Sequence, residues 1–229
     1  MFDGIDLYVV STWVLPVLLA ITFHEAAHGF VAWRLGDPTA HKLGRISANP
    51  LRHVDPMGTV ILPGLLVLAK APFIFGWAKP VPIDPRRLRQ PRRDMVLVAA
   101  AGPGSNLLMA LIAGLLAHLL FLAPPEAAKW LGDNLFNAMV INLVLAVFNM
   151  IPLPPLDGGR VAVGLLPLGL ARPLARLERY GIFILIGALL LLPMIGEAAG
   201  LDINPVGAVV LPVVRALMQG MMLLTGHGW

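Results

Sequence analysis

Hydrophobic residues in this chain come in long unbroken runs, with polar residues confined to short intervals between them. Residues 7–23 carry no charge, and neither do residues 95–125. Five runs approach or exceed the roughly 20 residues that a membrane-spanning helix needs. They cover residues 7–35, 95–122, 134–151, 181–194 and 205–224. Pro16, inside the first run, predicts a kink about two turns before His24. A sixth apolar stretch, residues 57–77, is interrupted by Pro63, Gly64, Pro72 and Gly76 and holds Lys70.

Loop charge gives these runs a direction. One basic interval holds Lys79, Arg86, Arg87, Arg89, Arg92 and Arg93; a second holds Arg160, Arg172, Arg176 and Arg179; a third holds Arg34, Lys42, Arg45 and Arg52. Glu126 and Asp133 mark one opposing loop, and Glu197 and Asp202 another. The excess of Lys and Arg in cytoplasmic loops places the three basic intervals inside and the acidic ones outside. That assignment works only if residues 57–77 enter the membrane and return, because a crossing there would put two basic intervals on opposite sides. Broken backbone at membrane depth is tolerated where protein or a water-filled cavity buries it. The expectation is an all-α polytopic membrane protein with about five spanning helices and a re-entrant apolar segment.

Composition narrows the class. Of 229 residues, 58% are hydrophobic and 13% charged, against about a quarter charged in a soluble domain. The mean hydropathy is +0.80. The chain therefore reads as one integral membrane domain over residues 1–229, with the chemistry in about 7–165 and C-terminal helices in about 178–225. The net charge of +4 lies in short loops beside apolar runs, which points to a lipid bilayer and not to nucleic acid. With no cysteine there is neither a disulfide framework nor a thiolate zinc site. Asp3 and Asp6 open the chain and its first run continues into the motif below, unlike a cleavable leader.

Residues 24–28 read His24-Glu25-Ala26-Ala27-His28. Residues four apart lie on one helix face, about 6 Å apart along the axis, so both imidazoles can bind one metal with Glu25 beside them to handle protons. Ionisable side chains at membrane depth are costly, roughly 2.5–3.5 kcal/mol each on insertion scales, so a cluster of three marks function. A catalytic zinc site needs a third protein ligand and an open position. Asp157 is the candidate, in a segment whose prolines preclude regular helix and whose Gly158 and Gly159 permit tight turns. The first helix runs inward and ends about two turns past His28, and the third span ends inside just before Asp157. Both ligand sets then lie at similar depth.

In order and spacing these motifs resemble the site-2 protease family of intramembrane zinc metalloproteases, in particular short bacterial members without a PDZ domain. The resemblance spans most of residues 15–165. It rests on His24-Glu25-Ala26-Ala27-His28, on Leu156-Asp157-Gly158-Gly159 and on Ala101-Gly102-Pro103-Gly104-Ser105-Asn106. Asn149 and the segments 44–50 and 76–82 add to it. It implies one Zn2+ held by His24, His28 and Asp157, Glu25 as the proton carrier and Asn149 near the substrate or the developing oxyanion. It also implies a membrane-protein substrate with a transmembrane segment, and a bacterial inner membrane with the site towards the cytoplasmic face. Short membrane-associated β-strands are expected, among them residues 45–49 pairing with an unwound substrate. Arg45, Ser47, Asn49 and Asn106 are the candidate substrate contacts. Duller roles stand beside these: Asn149 as a cap for helix-end carbonyls, Asn106 as a bond between helices, and His53 and Asp55, which could also form an extra metal pair or support the metal ligands, as a loop turn. Two other functions fit the same ligands, a metal or ion transporter and an inactive homologue serving as a binding partner. Only the protease needs Glu25 as a base.

Overall fold

The computed structural model describes residues 6–68, 76–201 and 203–227. Helix α1 (Leu7–Arg34) starts at Asp6, whose carboxylate accepts the N–H groups of Tyr8 and Val9. Its buried residues are Thr12, Pro16, Ala20, Thr22, His24, His28, Gly29 and Ala32, all small or polar. Bulky residues such as Leu7, Val14, Leu15 and Phe30 face outward. This inside-out pattern suits lipid, where small faces let helices approach and apolar side chains gain nothing by hiding. Helix α1 runs unbroken through Pro16, which cannot donate to the carbonyl four residues back. That carbonyl, Thr12 O, accepts instead from Asn137 Nδ2 at 3.1 Å.

The helix α2 (Leu62–Leu68) follows a π-helical turn, Pro56–Ile61, capped by Asp55 through Gly58 N–H at 2.7 Å. Trp77 N–H donates to Gly58 O at 3.1 Å, and Thr59 Oγ1 donates to Trp77 O at 2.9 Å. The two ends of the sixth apolar stretch thus meet; residues 69–75 between them lie outside the described residues.

Helices α3 (Pro91–Ala117) and α4 (Pro125–Asn149) pack with α1 as the central three-helix layer, α3 antiparallel to the other two. At one end Tyr8 Oη donates to Asp133 at 2.6 Å and Trp130 Nε1 to Ser11 Oγ at 3.0 Å. At the other, Arg89 N–H reaches Leu35 O at 3.2 Å and Asp84 N–H reaches Asp37 at 2.7 Å. The short helices α5 (Asp157–Leu165) and α6 (Leu168–Arg176) lead to α7 (Glu178–Ala198) and α8 (Gly207–Leu224). Among the described residues five helices, α1, α3, α4, α7 and α8, are long and apolar enough to cross a membrane.

Two expectations need correction. No β-strand occurs among the described residues, which overturns the expected membrane-associated strands, including the one at residues 45–49. A strand needs a ladder partner, and this segment is tied by side chains instead. Arg45 donates to Lys79 O at 2.8 Å, and Ser47 O is held by His53 Nε2 at 3.0 Å. The second concerns α8, whose start the outside placement of Glu197 and Asp202 puts at the same face as the starts of α1 and α4. Val210 and Val214 cluster with Ala110 and Leu143, while Thr225 lies against Gly114 and bonds His118 at the far end of α3. Helix α8 therefore runs parallel to α3. The charge rule had only Glu197 and Asp202 to read there, and acidic residues orient segments weakly.

Candidate metal centre

His24 and His28 are both buried on the inner face of α1. Helix α3 meets them at Gly102, where a Cβ would fall 2.4 Å from His28 Nε2 and 2.6 Å from His24 Cε1. The residue must be glycine for the two helices to close around the imidazoles. One turn later on α3 stands Asn106, fully buried. Its Nδ2 donates to Ala20 O at 3.2 Å and to Asn142 Oδ1 at 2.8 Å, so its Oδ1 faces His24 Nδ1 at 2.7 Å. His28 Nδ1 lies 2.7 Å from Val98 O, which can only accept. Both imidazoles therefore carry their proton on Nδ1, and both Nε2 lone pairs point inward.

Asp157 completes the cluster from the first turn of α5. Its loop is drawn tight against the end of α4: a Cβ on Gly158 would fall 2.2 Å from Met150 O. Asp157 Oδ2 lies 3.2 Å from His24 Nε2 and 3.3 Å from His28 Nε2, and the two Nε2 atoms are 3.1 Å apart. With both protons on Nδ1, three acceptors face one another, and Asp157 Oδ2 is buried without a hydrogen-bond donor, an arrangement that a bound cation satisfies. Donors on a tetrahedral zinc at about 2.0–2.2 Å stand about 3.4 Å apart, close to the spacing here. Among the described residues this is the one His, Asp and Glu group that converges on a metal position.

Glu25 is half-buried beside the cluster, and its Oε2 accepts Val81 N–H at 2.8 Å. Val81 belongs to a strap, residues 76–84, pinned by Trp77 to Gly58, by Lys79 N–H to His53 O at 2.9 Å, and by Asp84 to Asp37. Ile46 and Val81 both reach Gly29, so the 45–49 segment lies against α1 next to His28. Within that segment Asn49 caps Leu51 N–H and Ser47 Oγ accepts Asn49 N–H.

The remaining sequence candidates divide. All three polar groups of Asn106 are spent on His24, Ala20 and Asn142, so it fixes the orientation of the His24 ring. Asn149 is half-buried at the end of α4, with one N–H given to Leu145 O at 3.0 Å and no bond to the cluster. Asn142 went unnoticed in the sequence. Its signal was there, since Asn134, Asn137 and Asn142 recur in one apolar helix, where such residues need partners.

The description "Peptidase family M50" matches residues 116–193, a span that includes Asn149 and Asp157. The chain is 40% identical over 200 residues to "Putative zinc metalloprotease YwhC" of Bacillus subtilis, covering 82% of this chain and 87% of that protein. It is 30% identical over 198 residues to "Putative zinc metalloprotease Rip2" of Mycolicibacterium smegmatis, covering 86% of this chain and 71% of that one. No solved structure matches. With two relatives of that likeness along most of their own length, the chain belongs to peptidase family M50, the site-2 protease family.

Proposed function

We propose that this chain is a zinc-dependent endopeptidase that cleaves peptide bonds of membrane-embedded proteins. The observation that carries the reading is the convergence of two imidazole lone pairs and a buried carboxylate oxygen, with Glu25 one residue from the first ligand. His24, His28 and Asp157 would hold a zinc ion, which would supply Lewis-acid activation of a water molecule and of the scissile carbonyl. Glu25 takes the proton of the attacking water on its carboxylate and delivers it to the leaving amine. Val81 N–H keeps one Glu25 oxygen engaged and so fixes how the carboxylate presents the other.

Asn149 retains a second N–H beyond its bond to Leu145 O, and this donor serves the developing oxyanion. An unwound substrate passes along Arg45, Ser47 and Asn49, whose segment lies beside His28 and the strap that contacts Glu25. The basic end of the bundle, which carries the metal residues, faces the cytoplasm of a bacterial cell.

Zinc analysis of the purified protein together with the Glu25→Gln variant tests this reading. Near one zinc per chain is expected in both, with cleavage of a reporter single-span membrane protein falling about 100- to 10,000-fold in the variant. Intact protein that holds no stoichiometric zinc in the absence of chelators would end the proposal. A variant that cleaves as well as the parent would end the role of Glu25.

A further inference from the structure

Where α3 begins and α5 ends, the surface carries a cleft of about 360 Å³ lined by Arg92, Arg93, Val96, Leu97, Gly164 and Leu165. Its two halves differ chemically. Arg92 and Arg93 stand in the first turn of α3, the last charges but Asp94 before the uncharged stretch 95–125. Val96, Leu97 and Leu165 form the other half, and Leu97 and Leu165 are 48% and 70% exposed. The cleft therefore straddles the level at which headgroups give way to acyl chains.

No acid among the described residues pairs with Arg92 or Arg93. Asp94 is buried and occupied by Gln90 N–H at 2.8 Å, and the paired acids Asp84 and Glu178 bind Arg87 and Arg160. Arg92 donates to Leu166 O, just past α5, with other guanidinium N–H groups left over, and Arg93 makes no ion pair or hydrogen bond with any described residue. The helix that follows, α6, sets Leu170 and Leu174 on one side and Arg172 and Arg176 on the other, the pattern of a helix lying in the interface. Two unneutralised guanidinium groups above an apolar slot select a ligand that has an anionic head and a hydrocarbon tail.

We propose that this cleft is a binding site for an anionic phospholipid. The phosphate bridges Arg92 and Arg93, and an acyl chain runs along Val96, Leu97 and Leu165. Such a lipid spans α3 and α5. Gly164 already lies so close to α3 that a Cβ there would fall 2.1 Å from Val96 Cγ2. The lipid extends that contact at the end of α5 opposite Asp157, steadying the helix that begins with the third metal residue.

Native mass spectrometry of the purified full chain with equal phosphatidylglycerol and phosphatidylcholine of matched acyl chains tests the site. The parent protein should retain phosphatidylglycerol preferentially. Arg93→Gln, which breaks no hydrogen bond or ion pair among the described residues, should lose about fivefold of that preference, and Arg92→Gln with Arg93→Gln about 25-fold, at about 1 kcal/mol per basic residue. Lys42→Gln with Arg86→Gln, which removes the same charge elsewhere, should change it less than twofold. An equal loss in this control pair would show diffuse attraction and overturn the site. So would an unchanged preference in Arg93→Gln, or competition by soluble glycerol phosphate as effective as that by the lipid.

Discussion

His24 can offer Nε2 to a metal because Asn106 takes the proton on its other nitrogen, and Asn106 can do so because Asn142 and Ala20 O fix which way its amide faces. Removing this support should loosen the ligand without removing it. We expect Asn106→Ala to bind zinc about 10- to 100-fold more weakly, as read by competition with a fluorescent chelator. Val81 offers a parallel case for Glu25, because its partner is a backbone N–H. Val81→Pro deletes that donor in a run already flanked by Pro80 and Pro82, whereas Val81→Ala keeps it. Cleavage of the reporter should drop about tenfold in the proline variant, the order of one lost hydrogen bond to a charged group. It should change little in the alanine variant, with zinc content the same in both. The spacing of His24 and His28 was legible because four residues on a helix fix their relation whatever surrounds them. The bracing by Asn142, Val98 O and Val81 N–H was not, since each joins residues that only tertiary packing brings together.

Helices carry the next level of constraint. Helix α3 can pass the two imidazoles only at Gly102, so Gly102→Val should abolish zinc binding while the helical circular dichroism stays close to that of the parent. The spans themselves were legible from apolar run length. Their boundaries were drawn short where charges sit on helix ends: α4 starts at Pro125 and includes Glu126, Lys129 and Asp133. A side chain at the end of a spanning helix reaches water, so charge there limits the apolar core and not the helix. The expected strands failed for a related reason. The strand at residues 45–49 was expected for its pairing with a substrate, yet no described segment supplies a ladder, and Arg45 spends its guanidinium on Lys79 O and Pro80 O.

For the molecule as a whole, direction and acid sensitivity can both be measured. Since α8 runs parallel to α3, cysteines placed at Arg89 and Gly226 should label from opposite faces of the membrane, and those at Lys42 and Arg89 from the same face. Asp37 joins the end of α1 to the strap, accepting Thr39 N–H at 3.0 Å, the Thr39 hydroxyl at 2.5 Å and Asp84 N–H at 2.7 Å. Burial acts to raise its carboxyl, but these donors and nearby Arg87 outweigh it and hold it below its ordinary value. Its stabilising effect is thus complete above the unfolded value of about 3.9 and fades as pH falls through the lower folded value. Asp37→Asn, which turns an amide N–H against a donor, should lower stability by about 1–3 kcal/mol at neutral pH. That deficit should shrink on acidification, as followed by thermal unfolding in detergent. One further property follows from the contact of Trp77 with Gly58. A chain pinned where it departs and where it rejoins acts as a closed side-loop, and its contour length sets no distance between α1 and α3. Insertions or deletions between its two pinned ends should leave the spacing of His24, His28 and Asp157 unchanged, making this the natural point at which a longer or shorter module, or a grafted reporter, can be exchanged without redesigning the bundle.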